Sequence, residues 1–111
     1  MKAAFLDPGA LRTELLLQSA VLTGDGLGGH TAAWQDVATV FGLIEPVSQT
    51  SRFGAGQVQE EYTHRVTIRR RDGVAPGMRF VSQVRIFDIL TVHDPDETGR
   101  YLACRVREGE S

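Results

Sequence analysis

Apolar residues recur along the chain in short runs bounded by turn residues, and no stretch sustains the 3.6-residue period of an amphipathic helix. The segment from Glu61 to Arg71 is the plainest case. Tyr62, His64, Val66 and Ile68 alternate with Glu61, Thr63, Arg65, Thr67 and Arg69, which predicts a half-buried strand with Thr67 on the solvent side. Glu14 to Leu22, ELLLQSAVL, is short for a helix and runs into turn residues, so it reads as a strand preceded by a possible helical turn at Pro8 to Arg12. Trp34 opens WQDVATVFGLIEPV, where β-branched Val37, Thr39, Val40 and Ile44 favour a long strand that Pro46 ends. Met78 to Val81, Val84 to Val92 and Arg100 to Arg107 supply three more extended runs.

The breaks between these runs are equally legible. Thr23 to His30, TGDGLGGH, has four glycines in eight residues and reads as a loop between two strands. Residues 48–59, SQTSRFGAGQVQ, are polar, contain glycine and follow neither period, so they form a connection longer than a hairpin needs. Arg71-Asp72-Gly73, Ala75-Pro76-Gly77, Ser82-Gln83 and the acidic Asp94 to Gly99 turn the chain. The fold class that follows is all-β: a small antiparallel β-barrel of about six strands, with a long polar loop after the second strand. Closure into a barrel removes adhesive edges.

At 111 residues the chain is one domain, residues 1–111, because a typical module runs about 100–150 residues. A domain of this size buries only about 60–65% of its unfolded surface, so an oligomeric partner would add to its stability. The content of 41% hydrophobic and 23% charged residues is that of a folding chain, not a disordered one. No apolar run approaches the roughly 20 residues of a bilayer span, and Asp7 and Pro8 interrupt the start where a signal segment would be apolar, so a soluble, unsecreted chain is expected. The single Cys104 excludes an internal disulfide and reads as a packed core thiol.

Catalytic chemistry is not expected. The glycine cluster Gly24 to Gly29 is followed by a strand where a phosphate loop needs a helix, and no Gly-Lys-Ser/Thr occurs. His30, His64 and His93 lie too far apart to announce a metal site, and no nucleophile elbow is present. Glu60-Glu61 and Asp94, Asp96 and Glu97 sit at a strand start and a turn, where solvated acids are ordinary. No cofactor and no metal are expected.

Charge changes the picture. The net charge of −2 gives no general attraction to phosphate backbones or anionic membranes. Residues 1–61 nevertheless sum to −4 and residues 62–111 to +2, and all basic residues but Lys2 are Arg. Arg65, Arg69, Arg70, Arg71, Arg79 and Arg85 crowd 21 residues against one acid, Asp72. Arg makes planar, bidentate contacts at interfaces, so Arg65, Arg69, Arg70, Arg71 and Arg79 are candidates for contact with an acidic neighbour, including the negative half of an identical chain. The competing reading is a monomeric barrel that binds oligonucleotide or oligosaccharide through Tyr62, Phe80 or Phe87 on an open face.

The order of these features resembles the phage head-tail joining family, also called head-tail adaptor, head-closure or stopper proteins. The points of resemblance are Gly28-Gly29 leading to Trp34-Gln35-Asp36-Val37 and Thr39-Val40-Phe41, the Glu45-Pro46 end, and the polar loop from Gln49 to Gln59. His64 to Arg71, Gly77-Met78-Arg79-Phe80, Val84 to Ile89, and Gly99-Arg100-Tyr101-Leu102 with Cys104 follow in the same order. The chain departs at Ser82-Gln83, where the family usually has a glycine-bearing turn, and at Arg70, where an aromatic is common.

The resemblance implies a structural connector at the head-tail interface of a virion, from a phage, a prophage or a gene transfer agent, assembled in the bacterial cytoplasm. It implies a dodecameric ring between the portal or adaptor ring and the tail proteins, formed from chains that are monomeric when free, with no membrane contact. Ser48 to Gln59 would be the loop facing the channel, the one place of DNA contact, with Arg52, Phe53, Gln57 and Gln59 as its candidate contact side chains. A tail-completion ring protein of similar size would share the same physics.

Overall fold

The computed structural model describes residues 8–24, 30–47 and 62–109. A 3₁₀ turn, Pro8–Ala10, leads into six strands: β1 (Thr13–Gly24), β2 (His30–Pro46), β3 (His64–Arg69), β4 (Arg79–Ser82), β5 (Arg85–His93) and β6 (Tyr101–Gly109). All pairings are antiparallel and the sheet closes in the order β1-β2-β3-β6-β5-β4. The expected all-β barrel is therefore the fold.

Closure follows from the alternation. Leu15, Leu17, Val66, Ile68, Phe80, Phe87, Cys104 and Val106 are all fully buried and form the core, with Val40, Ile44, Val92 and Leu102 packed against them. Gly42 sits where three strands crowd together. A Cβ there would lie 2.9 Å from the Thr67 carbonyl oxygen and 3.0 Å from a Leu15 methyl carbon, so only glycine fits without displacing backbone. Burial pushes the Cys104 thiol up to about 12, so it stays protonated in the core.

Several boundaries differ from the sequence expectation. The β1–β2 ladder continues through Thr23↔Thr31 and Gly24↔His30, so the glycine-rich connection between them is residues 25–29, outside the described residues. β2 accordingly starts at His30, ahead of Trp34. β3 is confined to His64–Arg69, because Arg70 and Arg71 already belong to the following turn region. Thr67 lies on the outer face, as alternation requires, yet is only 6% exposed, as is its neighbour Tyr101. The Gln83-Val84 turn joins Ser82 to Arg85 directly, with Gln83 at φ 56°, so a non-glycine residue takes the left-handed position here.

The two ends of the molecule differ. β4 pairs with β1 only at residues 16–18, and β3 pairs with β2 only at residues 42–46. Beyond these, among the described residues, β1 and β2 pair only with each other and project as a two-stranded arm, about 20 Å long at roughly 3.3 Å per residue. Arg69↔Tyr101 and the bond from the Arg70 N–H to the Arg100 carbonyl (2.9 Å) place the loops 70–78 and 94–100 at this same end. At the opposite end lie Pro46↔His64, the Gln83-Val84 turn and the close of β6 at Gly109.

Candidate assembly surface

The arm is set at its root by a bulge. Leu17 pairs with Ala38 but Gln18 pairs with Asp36, so Val37 is an extra residue in β2. Side chains reverse faces across it. Ala38 and Val40 continue the inward row, whereas Asp36 and Trp34 turn outward, beside Gln18 and the outward Arg79 of β4. There Arg79 stacks on Trp34, its guanidinium carbon 4.0 Å from the ring centroid, and its Nε donates to Gln18 Oε1 at 2.7 Å. Gln18 Nε2 in turn donates to Asp36 Oδ1 at 2.9 Å. Arg79 thus braces the arm from within its own chain.

On both sides of this brace, apolar groups meet solvent. Val21 is 40%, Leu22 68%, Val37 41% and Phe41 52% exposed. Both outer edges of the arm, residues 19–24 of β1 and 30–41 of β2, lack a neighbouring strand among the described residues. The β2 edge carries no proline, lysine or arginine to blunt it.

Beside the arm's root, Leu11, Thr39, Phe41, Arg69, Arg70 and Arg71 line a groove. Arg70 pairs with Asp72 at 3.3 Å and Arg71 Nε donates to the Asp72 carbonyl at 3.1 Å. Arg69 has no ion-pair partner among the described residues. The structure brings these three arginines together and separates the other two candidates from them. Arg79 is the arm's brace. Arg65 lies four residues back along β3, toward the opposite end, with its Nη2 2.9 Å from Glu45 Oε1.

At the opposite end Arg105 stacks on Tyr62 at 5.2 Å beside Arg65 and His93. Tyr62 is therefore turned to the outer surface and not to the core side. His64 does face inward, edge-on to Phe87 with ring centroids 5.3 Å apart. Phe80 and Phe87 are 0% exposed, which removes two of the three stacking platforms that a base- or sugar-binding face would use. The chain between Val47 and Tyr62 departs from this end. The candidate channel residues Arg52, Phe53, Gln57 and Gln59 lie outside the described residues.

The acidic loop serves its own backbone. Asp94 accepts from the N–H groups of Asp96, Glu97 and Gly99, and Thr98 Oγ1 donates to Asp96 at 2.7 Å. The Asp96 carboxyl is held below its ordinary range, chiefly by the bond from Thr98, with burial opposing. Among the described residues no cluster of three His, Cys, Asp or Glu side chains could hold a metal, and no helix is long and apolar enough to cross a membrane.

Sequence pattern marks Arg69, Arg70 and Arg71, which are contiguous. It does not show their groove partner Phe41 or the Gln18 link, because nothing local marks the bulge at Val37 that decides which side chains face outward.

Comparison with known proteins gives a consistent result. The sequence profile of phage head completion proteins matches residues 6–109. A chain in the virion of a native gene transfer agent particle is 30% identical, covers 91% of this chain and 97% of itself, and superposes with a TM-score of 0.69. The solution structure of protein SF1141 from Shigella flexneri 2a is 25% identical, covers 94% of this chain and 97% of itself, and gives a TM-score of 0.70. No curated protein matches the chain.

Proposed function

The chain belongs to the phage head completion protein family, and from that membership we propose that it is a structural connector joining the portal-side adaptor of a DNA-filled head to the tail. It works by fit and charge, without catalysis. Copies assemble into a ring, dodecameric in the particle, and residues 48–59 face the channel, where they meet DNA. Assembly takes place in the bacterial cytoplasm.

The observation that carries this reading is the division of labour in the fold. A closed barrel satisfies itself, while an arm whose two edges are open among the described residues and an arginine-lined groove are presented at one end. Surfaces of this kind gain stability only when another subunit covers them.

The test is incorporation. The double variant Arg69→Glu with Arg71→Glu, expressed in place of the wild type, is expected to leave DNA-filled heads unjoined to tails while the purified chain keeps its wild-type far-ultraviolet dichroism. Joined particles containing the folded double variant at wild-type occupancy would overturn the role given to this surface. Joined particles lacking the chain altogether would overturn the connector itself.

A further inference from the structure

We propose that the pocket where β3, β6 and β5 meet the chain at Val47 and Tyr62 is a phosphoryl-binding site. The inference goes beyond the connector reading and concerns the single chain, so its failure would leave that reading standing.

Register creates the site. Arg65 and Arg105 are direct cross-strand partners and both are exposed, an arrangement of like charges that is unfavourable until an anion lies between them. Their present partners differ. Arg65 directs Nε and Nη2 to a single oxygen of Glu45, Oε1, at 3.2 and 2.9 Å, which fixes the side chain and leaves its Nη1 without an acceptor among the described residues. Arg105 lies over Tyr62, its guanidinium carbon 5.2 Å from the ring centroid, and pairs with no acid among the described residues. Stacking engages the face of a guanidinium and leaves its N–H edge for an oxyanion. His93, exposed at the end of β5, lines the same pocket and adds its ring nitrogens.

Charge and shape select the ligand. Two guanidiniums against the one carboxylate in the lining, Glu45, leave a positive charge uncompensated. The volume, about 260 Å³, falls below the roughly 300 Å³ at which pockets for drug-sized molecules begin, so the site admits a small group and not a whole nucleotide. Its donors stand on three neighbouring strands that curve around the barrel, and so do not share one plane. A carboxylate accepts mainly within its own plane, whereas a phosphoryl group presents oxygens in tetrahedral directions and takes the forks of two arginines at once.

Titration of the full chain in phosphate-free buffer reads the site, with inorganic phosphate as the first probe. The Nε–H signals of Arg65 and Arg105 are expected to shift together and saturate, while that of Arg107, exposed on the same strand outside the pocket, stays in place. Acetate at equal ionic strength should bind about tenfold more weakly. Arg105 is exposed, so Arg105→Gln is expected to fold and to weaken phosphate binding about tenfold; Arg105→Lys, which keeps the charge without the fork, should recover only part of the loss. The second probe is a short oligodeoxythymidylate lacking a terminal phosphate. Its competition with inorganic phosphate for the same two signals would show that a phosphodiester enters the pocket, and a response to inorganic phosphate alone would mark the ligand as a free phosphate; either supports the site. Equal responses to phosphate and acetate, or shifts that Arg105→Gln leaves unchanged, would mean an adventitious ion only and overturn the proposal. Silence toward inorganic phosphate would overturn it as well, whatever the oligonucleotide does.

Discussion

The two halves of β1 have similar hydropathy and opposite fates. Leu15 and Leu17 are fully buried, whereas Val21 and Leu22, only a few residues on, are 40% and 68% exposed. The lower half lies between β2 and β4; the upper half has β2 alone among the described residues. Burial of a large apolar side chain contributes about 1.5–3 kcal/mol, and a two-stranded ribbon by itself is marginal in water. The barrel is therefore held by its own core, while the arm depends on its root, where Arg79, Trp34, Gln18 and Asp36 interlock. One strand thus serves the fold at one end and presents a contact surface at the other.

Truncation in each region gives the sharpest contrast. Phe87 is 0% exposed, and Phe87→Ala is expected to cost about 3–5 kcal/mol of stability in urea unfolding. Leu22→Ser should change stability by less than about 0.5 kcal/mol, as exposed positions do. Equal losses in the two variants would mean that the arm packs on its own chain, and the contrast would collapse.

The brace ranks second. Arg79 donates to Gln18 in a partly buried site and lies over Trp34, so Arg79→Ala should cost about 1–2 kcal/mol. The loss should be local. Amide exchange is expected to accelerate over residues 19–24 and 33–36 while β3 keeps its protection. Uniform acceleration across the barrel would show that Arg79 supports the core and not the arm.

Much of this was legible from the residues. Alternation in β3, Pro46 at the end of β2 and the turn residues around Gly73, Gly77 and Gly99 announced a six-stranded barrel, and those three glycines do take positive φ. The arginines at 69–71 were visible as a cluster because they are contiguous. What escaped was register. Whether Trp34 points in or out depends on the single extra residue Val37, and the burial of Thr67 depends on what covers the outer face rather than on period two. Arg79 looked like part of the same surface because it is near in sequence, yet pairing with β1 commits it to the arm.

The smallest effect lies at the end away from the arm. Arg85 donates to both oxygens of Glu108, Nε to Oε2 at 2.9 Å and Nη2 to Oε1 at 3.1 Å, and also lies 3.4 Å from the His64 ring nitrogen. Those bonds hold the Glu108 carboxyl below its ordinary range, with burial opposing, and raise Arg85. A carboxyl depressed in the folded state stabilises the fold above its unfolded value, near pH 4.3, and that contribution is lost as pH falls through the lower folded value. The raised Arg85 acts only at strongly alkaline pH, so the acid limb belongs to the carboxylate. The pair is solvent-accessible, so the loss on going from pH 6 to pH 3 should be at most about 1 kcal/mol, and Arg85→Ala should remove that part of the acid dependence. Because the pair sits on β5 and β6, away from Arg79 and Trp34, exchange over residues 19–24 should not change when Arg85 is removed. An arm that loosened in Arg85→Ala would tie the two ends of the barrel together and break the independence on which the contrast rests.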